Sequence, residues 1–281
     1  MRVTVPSRIP AGDCGDYPAG MPNGPDNARV HLDETGLLLL RDPGDGSCTF
    51  PVAAGADAAA PSPGVACSLP LPEALHARIR PAGTAETVLR TWANGDRVGP
   101  TVPWDDPAAR EPVRVRAGAV VIRDGHILLI GFREPWSGTD AMKGSESGDG
   151  QGTERLDSPT FYEIPGGGVE PGETQEAAVL RELGEETALT GTVVRELARV
   201  WKDGRREHYF LVAAEGEVGP PETLDNYGGA PAWLPVADLP GTPVWPRRLA
   251  WRIAHWHATG WPEQPAELAD SIEDLTLPCG W

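Results

Sequence analysis

Residues Gly167 to Leu189 read GGVEPGETQEAAVLRELGEETAL. Of its six glutamates, the run sets Glu173, Glu182, Glu185 and Glu186, with one arginine, Arg181, on a glycine-rich loop leading into a short helix. Thr174 suits the helix N-cap, because its hydroxyl can accept a hydrogen bond from an amide of the first turn. Advancing about 100° per residue from there, Glu182, Glu185 and Glu186 share one stripe, while Val179, Leu180, Leu183 and Thr187 share another. The apolar stripe faces a sheet and the acidic one faces outward. Three carboxylates so spaced repel by about 0.2–0.5 kcal/mol per exposed pair. A solvated acidic face is the ordinary meaning of such a run, yet lysines one turn on would relieve it and there are none. The only helical cation is Arg181, one turn before Glu185. Hard carboxylate oxygens converging on one point suit Mg2+, with Mn2+ also accommodated, because these ions keep waters and bind substrate phosphates directly. Gly166, Gly167 and Gly168 permit positive φ and close approach, bringing carbonyl oxygens and Glu173 toward the helix carboxylates.

Written as a pattern, the stretch is G-x5-E-x7-R-E-U-x-E-E-x-A-U, with U an apolar residue. It resembles the Nudix box, departing from the family pattern only where Ala188 replaces a glycine. Many fixed positions are met at once, and the resemblance extends over roughly residues 113 to 262. It implies an α/β/α sandwich and metal-ligand or base roles for Glu182, Glu185 and Glu186. It also implies that Arg181 orients a glutamate and that Glu173 supports or caps the site. The Gly167 and Gly168 backbone would lie at the metal and substrate. Some family members add an acid from a late loop, where Glu222 and Asp225 are the foremost choices and Glu215 and Glu217 are equally near in sequence. A left-handed Ala188 costs on the order of 1 kcal/mol, so either the helix runs on or its exit is strained.

Outward from the box, the β-branched run 115–122, the turn Arg123-Asp124-Gly125 and the run 126–132 read as two hairpin strands. Arg133 ends the second strand, where it can steady a phosphate or simply face solvent. The polar segment 136–159 reads as disordered or as a lid over the site. Strands follow at 161–165, 193–201 and 206–214, the last two joined across Asp203-Gly204, and another at 233–236. A closing helix over 246–257 carries Leu249, Ile253 and Trp256 on one face. Tyr162, Trp136 and Tyr227 can stack on a base, although aromatics beside a sheet are more often core. This order is α+β, a mixed sheet between helices.

Before residue 108 the chain changes character. Short strands around 30–52 are separated by turns, residues 53–64 form an Ala, Gly and Pro linker, and short helices are expected at 72–79 and 85–93. The prolines from Pro100 to Pro112 mark a stiff boundary. We therefore expect a small N-terminal domain of short strands over 1–108, a Nudix domain over 109–262 and a tail over 263–281. Nothing in the first 108 residues carries recognisable chemistry. That region is compatible with a cap on the site, a homodimer contact or partner recognition.

The net charge of -17 argues against a nucleic-acid polymer as ligand, since such affinity comes from cations that neutralise phosphates. A small phosphorylated substrate bridged by metal is still allowed. No apolar run approaches the roughly 20 residues of a membrane span, and the first residues lack a signal-peptide core, so a cytoplasmic location is expected. Cys14, Cys48, Cys67 and Cys279 follow no metal-binding spacing and read as free thiols; His31 and His76 are isolated. The expected activity is a Mg2+-dependent pyrophosphohydrolase acting on a nucleoside diphosphate derivative. Hydrolysis of a prenyl diphosphate, or of an NTP to NMP, is the alternative among enzymes. From another class comes a ligand-sensing regulator that keeps the fold without catalysis, for which a degraded glutamate set would be expected.

Overall fold

The computed structural model describes residues 27–52, 64–133, 159–202, 204–270, 272 and 274–276. Residues 53–63 of the expected linker, the polar segment 136–158, Cys14, Trp136, Asp203 and Cys279 lie outside them. The chain divides into two compact units, residues 1–109 and 110–280.

In the first unit, short strands form because β-branched and leucine runs alternate with turn residues. β1 (Asn27–Arg29) and β7 (Thr101–Pro103) pair antiparallel. A second sheet runs in the order β2 (Leu32–Asp33), β3 (Gly36–Arg41), β4 (Cys48–Thr49), β6 (Ile79–Arg80), with β5 (Val65–Leu69) on the β3 edge. Two helices, α1 (Leu71–His76) and α2 (Ala82–Ala93), contribute Leu75, Val88 and Leu89 to a core shared with Leu37, Leu39 and Phe50. α2 begins three residues before its expected start, behind Pro81 at the N-cap position. Proline fits there because the first-turn amides have no intrahelical acceptor.

The second unit contains β8 (Arg114–Val120), β9 (Ile122–Arg123), β10 (His126–Phe132), β11 (Phe161–Glu163), β12 (Gly166–Gly168), α3 (Gln175–Thr187), β13 (Thr190–Lys202), β14 (Arg205–Glu215), β15 (Ala230–Pro235), β16 (Val244–Trp245), α4 (Arg247–Thr259) and β17 (Ala266–Ala269). One sheet has the order β12-β8-β14-β13-β17, the other β15-β10-β11-β16 with β9 also on β10. The first is mixed: β8–β14 and β13–β17 are parallel, while β12–β8 and β13–β14 are antiparallel. The architecture is α+β, as expected. Alternate residues of β8 serve two cores. Ala117 and Ala119 join Ala178, Val179 and Leu183 of α3, whereas Val120 joins Leu249, Ala250 and Ile253 of α4. Each helix thus covers its own core, and truncating a buried leucine such as Leu183 to alanine costs about 2–5 kcal/mol.

Three features differ from the sequence reading. β8 and β10 are not a hairpin: β9 pairs with β10, and β8 enters the other sheet. Both faces of these strands are buried, so period-two patterning does not specify the partner. Gly166–Gly168, expected as a loop, is a strand on β8, and Gly166 alone of the three has positive φ. A Cβ at Gly166 would stand 2.2 Å from the Ala117 carbonyl oxygen, so only glycine permits this pairing. Beyond residue 262, β17 pairs in parallel with β13, from Ala198↔Ala266 to Trp201↔Ala269, where a tail was expected.

Candidate active site

β12 delivers the chain to α3, and both ends of that helix are built locally. The Thr174 hydroxyl accepts from the Ala177 amide at 3.1 Å. At the other end Ala188 is left-handed, with φ 64° and ψ 8°, and its amide donates to the Gly184 carbonyl at 2.9 Å. The helix therefore stops where the box pattern places its glycine, with alanine bearing the left-handed strain.

Arg181 is the centre of the outer layer. Its Nε and Nη2 donate to the two oxygens of Glu173 at 3.0 and 3.1 Å, and Nη2 also donates to the Gly168 carbonyl at 3.0 Å. Its Nη1 donates to Glu182 Oε1 and to Glu185 Oε2, each at 2.9 Å. The guanidinium joins loop, helix and strand, and these hydrogen bonds hold the Glu173 carboxyl below its ordinary value. Glu173 is further tied to its own turn, accepting from the Glu170 amide at 3.0 Å.

Glu186 belongs to a deeper layer. It is 7% exposed, and its Oε2 accepts from the Gly166 amide at 2.8 Å. Burial pushes its carboxyl up to about 8, against the opposing pull of that amide, with Glu182 adding repulsion. Burial likewise raises Glu182. Gly167 closes this layer: a Cβ there would lie 2.2 Å from Glu182 Oε1, so the absent side chain makes room for the carboxylate.

Behind Glu186 stands a charged network that sequence patterning misses. Arg116 Nη2 donates to the Gly166 carbonyl at 2.9 Å, so Gly166 is held on both sides, its amide by Glu186 and its carbonyl by Arg116. Burial disfavours the Arg116 charge, but Glu207 and Glu163 beside it raise its pKa overall. Glu207 is the cross-strand partner of Arg116 and accepts from the Tyr209 hydroxyl at 2.6 Å. Gly118 leaves room for Tyr209, whose ring carbon would be 2.5 Å from a Cβ at that position. Arg116 and Glu163, charged residues between apolar or aromatic neighbours in strand runs, are the signal that could have pointed to this network; Glu207, between Arg206 and His208, carries none.

Of the other expected residues, Arg133 follows β10 directly, is exposed, and makes no hydrogen bond or ion pair with the described residues. In the late loop, the Asp225 amide donates to the Glu185 carbonyl at 3.0 Å, which ties this segment to the end of α3. Glu222 lies on a short 3-10 turn, Pro221–Thr223, and is exposed. Among the described residues, no three histidine, cysteine, aspartate or glutamate side chains are gathered at one metal point; Glu182 and Glu185 are both turned to Arg181. Cys48 and Cys67 are free thiols. No helix among the described residues is long and apolar enough to cross a membrane.

Comparison with known proteins gives a match to the NUDIX domain over residues 112–258. A mutator protein, MutT4, of Mycobacterium tuberculosis is 36% identical over 101 residues, covering 32% of this chain. That match spans only 40% of MutT4's own length. An RNA pyrophosphohydrolase of Bradyrhizobium diazoefficiens is 32% identical over 153 residues, covering 46% of this chain and 82% of that protein. Among solved structures, the MutT NUDIX hydrolase of Burkholderia pseudomallei is 27% identical with a TM-score of 0.34, over 49% of this chain and 94% of that one.

Proposed function

This chain belongs to the Nudix family, and from that premise we propose that it is a divalent-metal-dependent pyrophosphohydrolase cleaving the diphosphate linkage of a small nucleoside diphosphate derivative. The observation that carries this reading is the pair of desolvated carboxylates, Glu182 and Glu186, set against the Gly166-Gly167 backbone. Burial raises both carboxyls more than Arg181 beside Glu182 and Arg116 near both offset, and a divalent cation is a partner that hard carboxylate oxygens accept.

The donor set fits Mg2+ in its chemistry. Glu182, Glu185, Glu186 and the Gly167 carbonyl would hold it, and Arg181 now engages two of those glutamates. When bound, the ion supplies neutralisation of the diphosphate and a lowered pKa for water. The remaining work belongs to the chain. Arg181 fixes the Gly168 carbonyl and the helix carboxylates in one frame, Arg116 fixes the Gly166 peptide, and a glutamate of this set takes the proton from the attacking water. Arg133 adds a phosphate contact at the strand end.

The name RNA pyrophosphohydrolase describes a relative, and the net charge of -17 favours a small substrate here. A panel tests the proposal: nucleoside diphosphate sugars, dinucleoside polyphosphates, NTPs, prenyl diphosphates and a 5′-triphosphorylated RNA, each with Mg2+. Release of a nucleoside monophosphate from small diphosphates is expected. Binding without turnover across the whole panel would replace the enzyme with a ligand-sensing module.

A further inference from the structure

α4 carries three arginines into the interior, and their circumstances differ. Arg247 donates to three backbone carbonyls. Arg248 donates to the Ala269 carbonyl, and the Asp270 carboxylate accepts from its backbone amide and offsets its charge. Arg252, one turn beyond Arg248, is 5% exposed and makes no hydrogen bond or ion pair among the described residues. Its five N–H donors are therefore nearly withdrawn from water without an acceptor in the fold. None of its nitrogens is sealed off completely, so the little exposure that remains includes the donors.

Its charged neighbours are cations as well. Burial, then Arg248, disfavour the Arg252 charge, and burial, then Arg252, lower His255, which is partly exposed. Arg248, Arg252 and His255 stand at i, i+4 and i+7 on one stripe of the helix. A buried carboxyl or lysine can shed its charge by changing protonation, but arginine keeps its proton in proteins. An interior guanidinium that is neither paired nor hydrogen-bonded is costly, and an anion removes that cost. The stripe lies apart from the metal site, because α4 packs Leu249 and Ile253 into one core while the α3 residues Val179 and Leu183 fill the other.

We propose that Arg252, flanked by Arg248 and His255, forms a binding site for a tetrahedral oxyanion of the phosphate class, separate from the carboxylate site on α3. The guanidinium fork matches two oxygens of one phosphoryl group, and the narrow exposure of Arg252 suits a single such group. With a net charge of -17 the protein repels anions at long range, so affinity has to come from these local donors.

Calorimetric titration of the full chain, with metal chelated and ionic strength fixed, compares inorganic phosphate, AMP and adenosine. Phosphate or AMP is expected to bind, adenosine is not, and Arg252→Met should weaken the binding at least about tenfold. Arg252→Lys, a point charge with fewer donors, should fall between the two. Arg252-dependent binding of inorganic phosphate identifies a free ion as the ligand, whereas Arg252-dependent binding of AMP alone identifies a phosphoryl group carried on a nucleotide. Thermal unfolding supplies an independent readout. Without phosphate, Arg252→Met should unfold at the same or a higher temperature, since it removes an uncompensated buried charge. Saturating ligand should raise the midpoint of the unaltered protein by roughly 2–4 °C and leave that of Arg252→Met in place. Neither phosphate nor AMP binding to the unaltered protein would overturn the site, as would equal affinity in a folded Arg252→Met. Marked destabilisation of Arg252→Met in phosphate-free buffer would also overturn it, by showing that the guanidinium is already satisfied within the fold.

Discussion

Helices α3 and α4 are each 13 residues long and each carries charge into the protein interior, but they treat it differently. In α4, Arg247 is fully buried and donates to the carbonyls of Leu239, Pro240 and Thr242. Its neighbour Arg248 donates to the Ala269 carbonyl at 2.8 Å, and its amide donates to Asp270 at 2.9 Å. In α3, Glu186 is buried with one amide donor and a carboxyl displaced to about 8. Arg247, with its donors met by three carbonyls, ties the loop before α4 to the helix, whereas a buried carboxyl displaced as far as that of Glu186 is a candidate for ligand binding. On the proposed function, Arg247 of α4 illustrates structural burial and Glu186 of α3 functional burial.

That contrast can be broken most severely at Gly167. In Gly167→Ala the new Cβ meets the flexible end of Glu182, so folding is expected to change little while the carboxylate is displaced. Loss of activity on the order of 10²-fold, with a thermal midpoint close to that of the unaltered protein, is the expected result. Unchanged kcat/KM would mean that Glu182 does not act from its present place.

At Arg247 the expectation inverts. Arg247→Met leaves three carbonyl acceptors without their donor and should cost about 3 kcal/mol in urea unfolding, with kcat per folded molecule kept. A stability change under about 0.5 kcal/mol would show that those carbonyls find other donors.

A smaller effect is tied to pH. Burial alone would raise Glu196, but hydrogen bonds from His208 (2.6 Å) and Arg199 (2.8 and 3.0 Å) hold its carboxyl below 4.5. A depressed folded pKa stabilises above the unfolded value and loses that contribution as pH falls through the folded one. Glu196→Gln should therefore cost on the order of 0.5–1 kcal/mol at pH 7, allowing for solvent screening, and progressively less below pH 4.5. A cost independent of pH would assign the effect to packing. Least of all, Ala188→Gly should stabilise by about 0.5–1 kcal/mol, because the left-handed position favours glycine; no gain in thermal midpoint would place the strain elsewhere.

The α3 box was legible because its chemistry is local. Capping by Thr174, the spacing of Glu182, Glu185 and Glu186 and the exit at Ala188 are all set within one turn or two of helix. Sheet partnership was not. β12 and β17 are short and owe their place to distant strands, and doubly buried β8 carries no alternation that would choose between the two sheets. The network of Arg116, Glu163 and Glu207 was missed for the same reason: its members lie on three strands, with Arg116 and Glu207 brought together by the register Arg116↔Glu207 and Glu163 supplied from the other sheet. The acid helix proclaims a site by itself, while its support is written in pairings.

The central claim is that Glu182 and Glu186 await a divalent cation. Mn2+ binding followed by electron paramagnetic resonance, on the unaltered protein, Glu182→Gln and Glu186→Gln, tests it without any substrate. The expected result is one tight site that each substitution weakens by at least about tenfold, with the fold intact by circular dichroism. Equal Mn2+ affinity in all three proteins, or no binding in any, would contradict it.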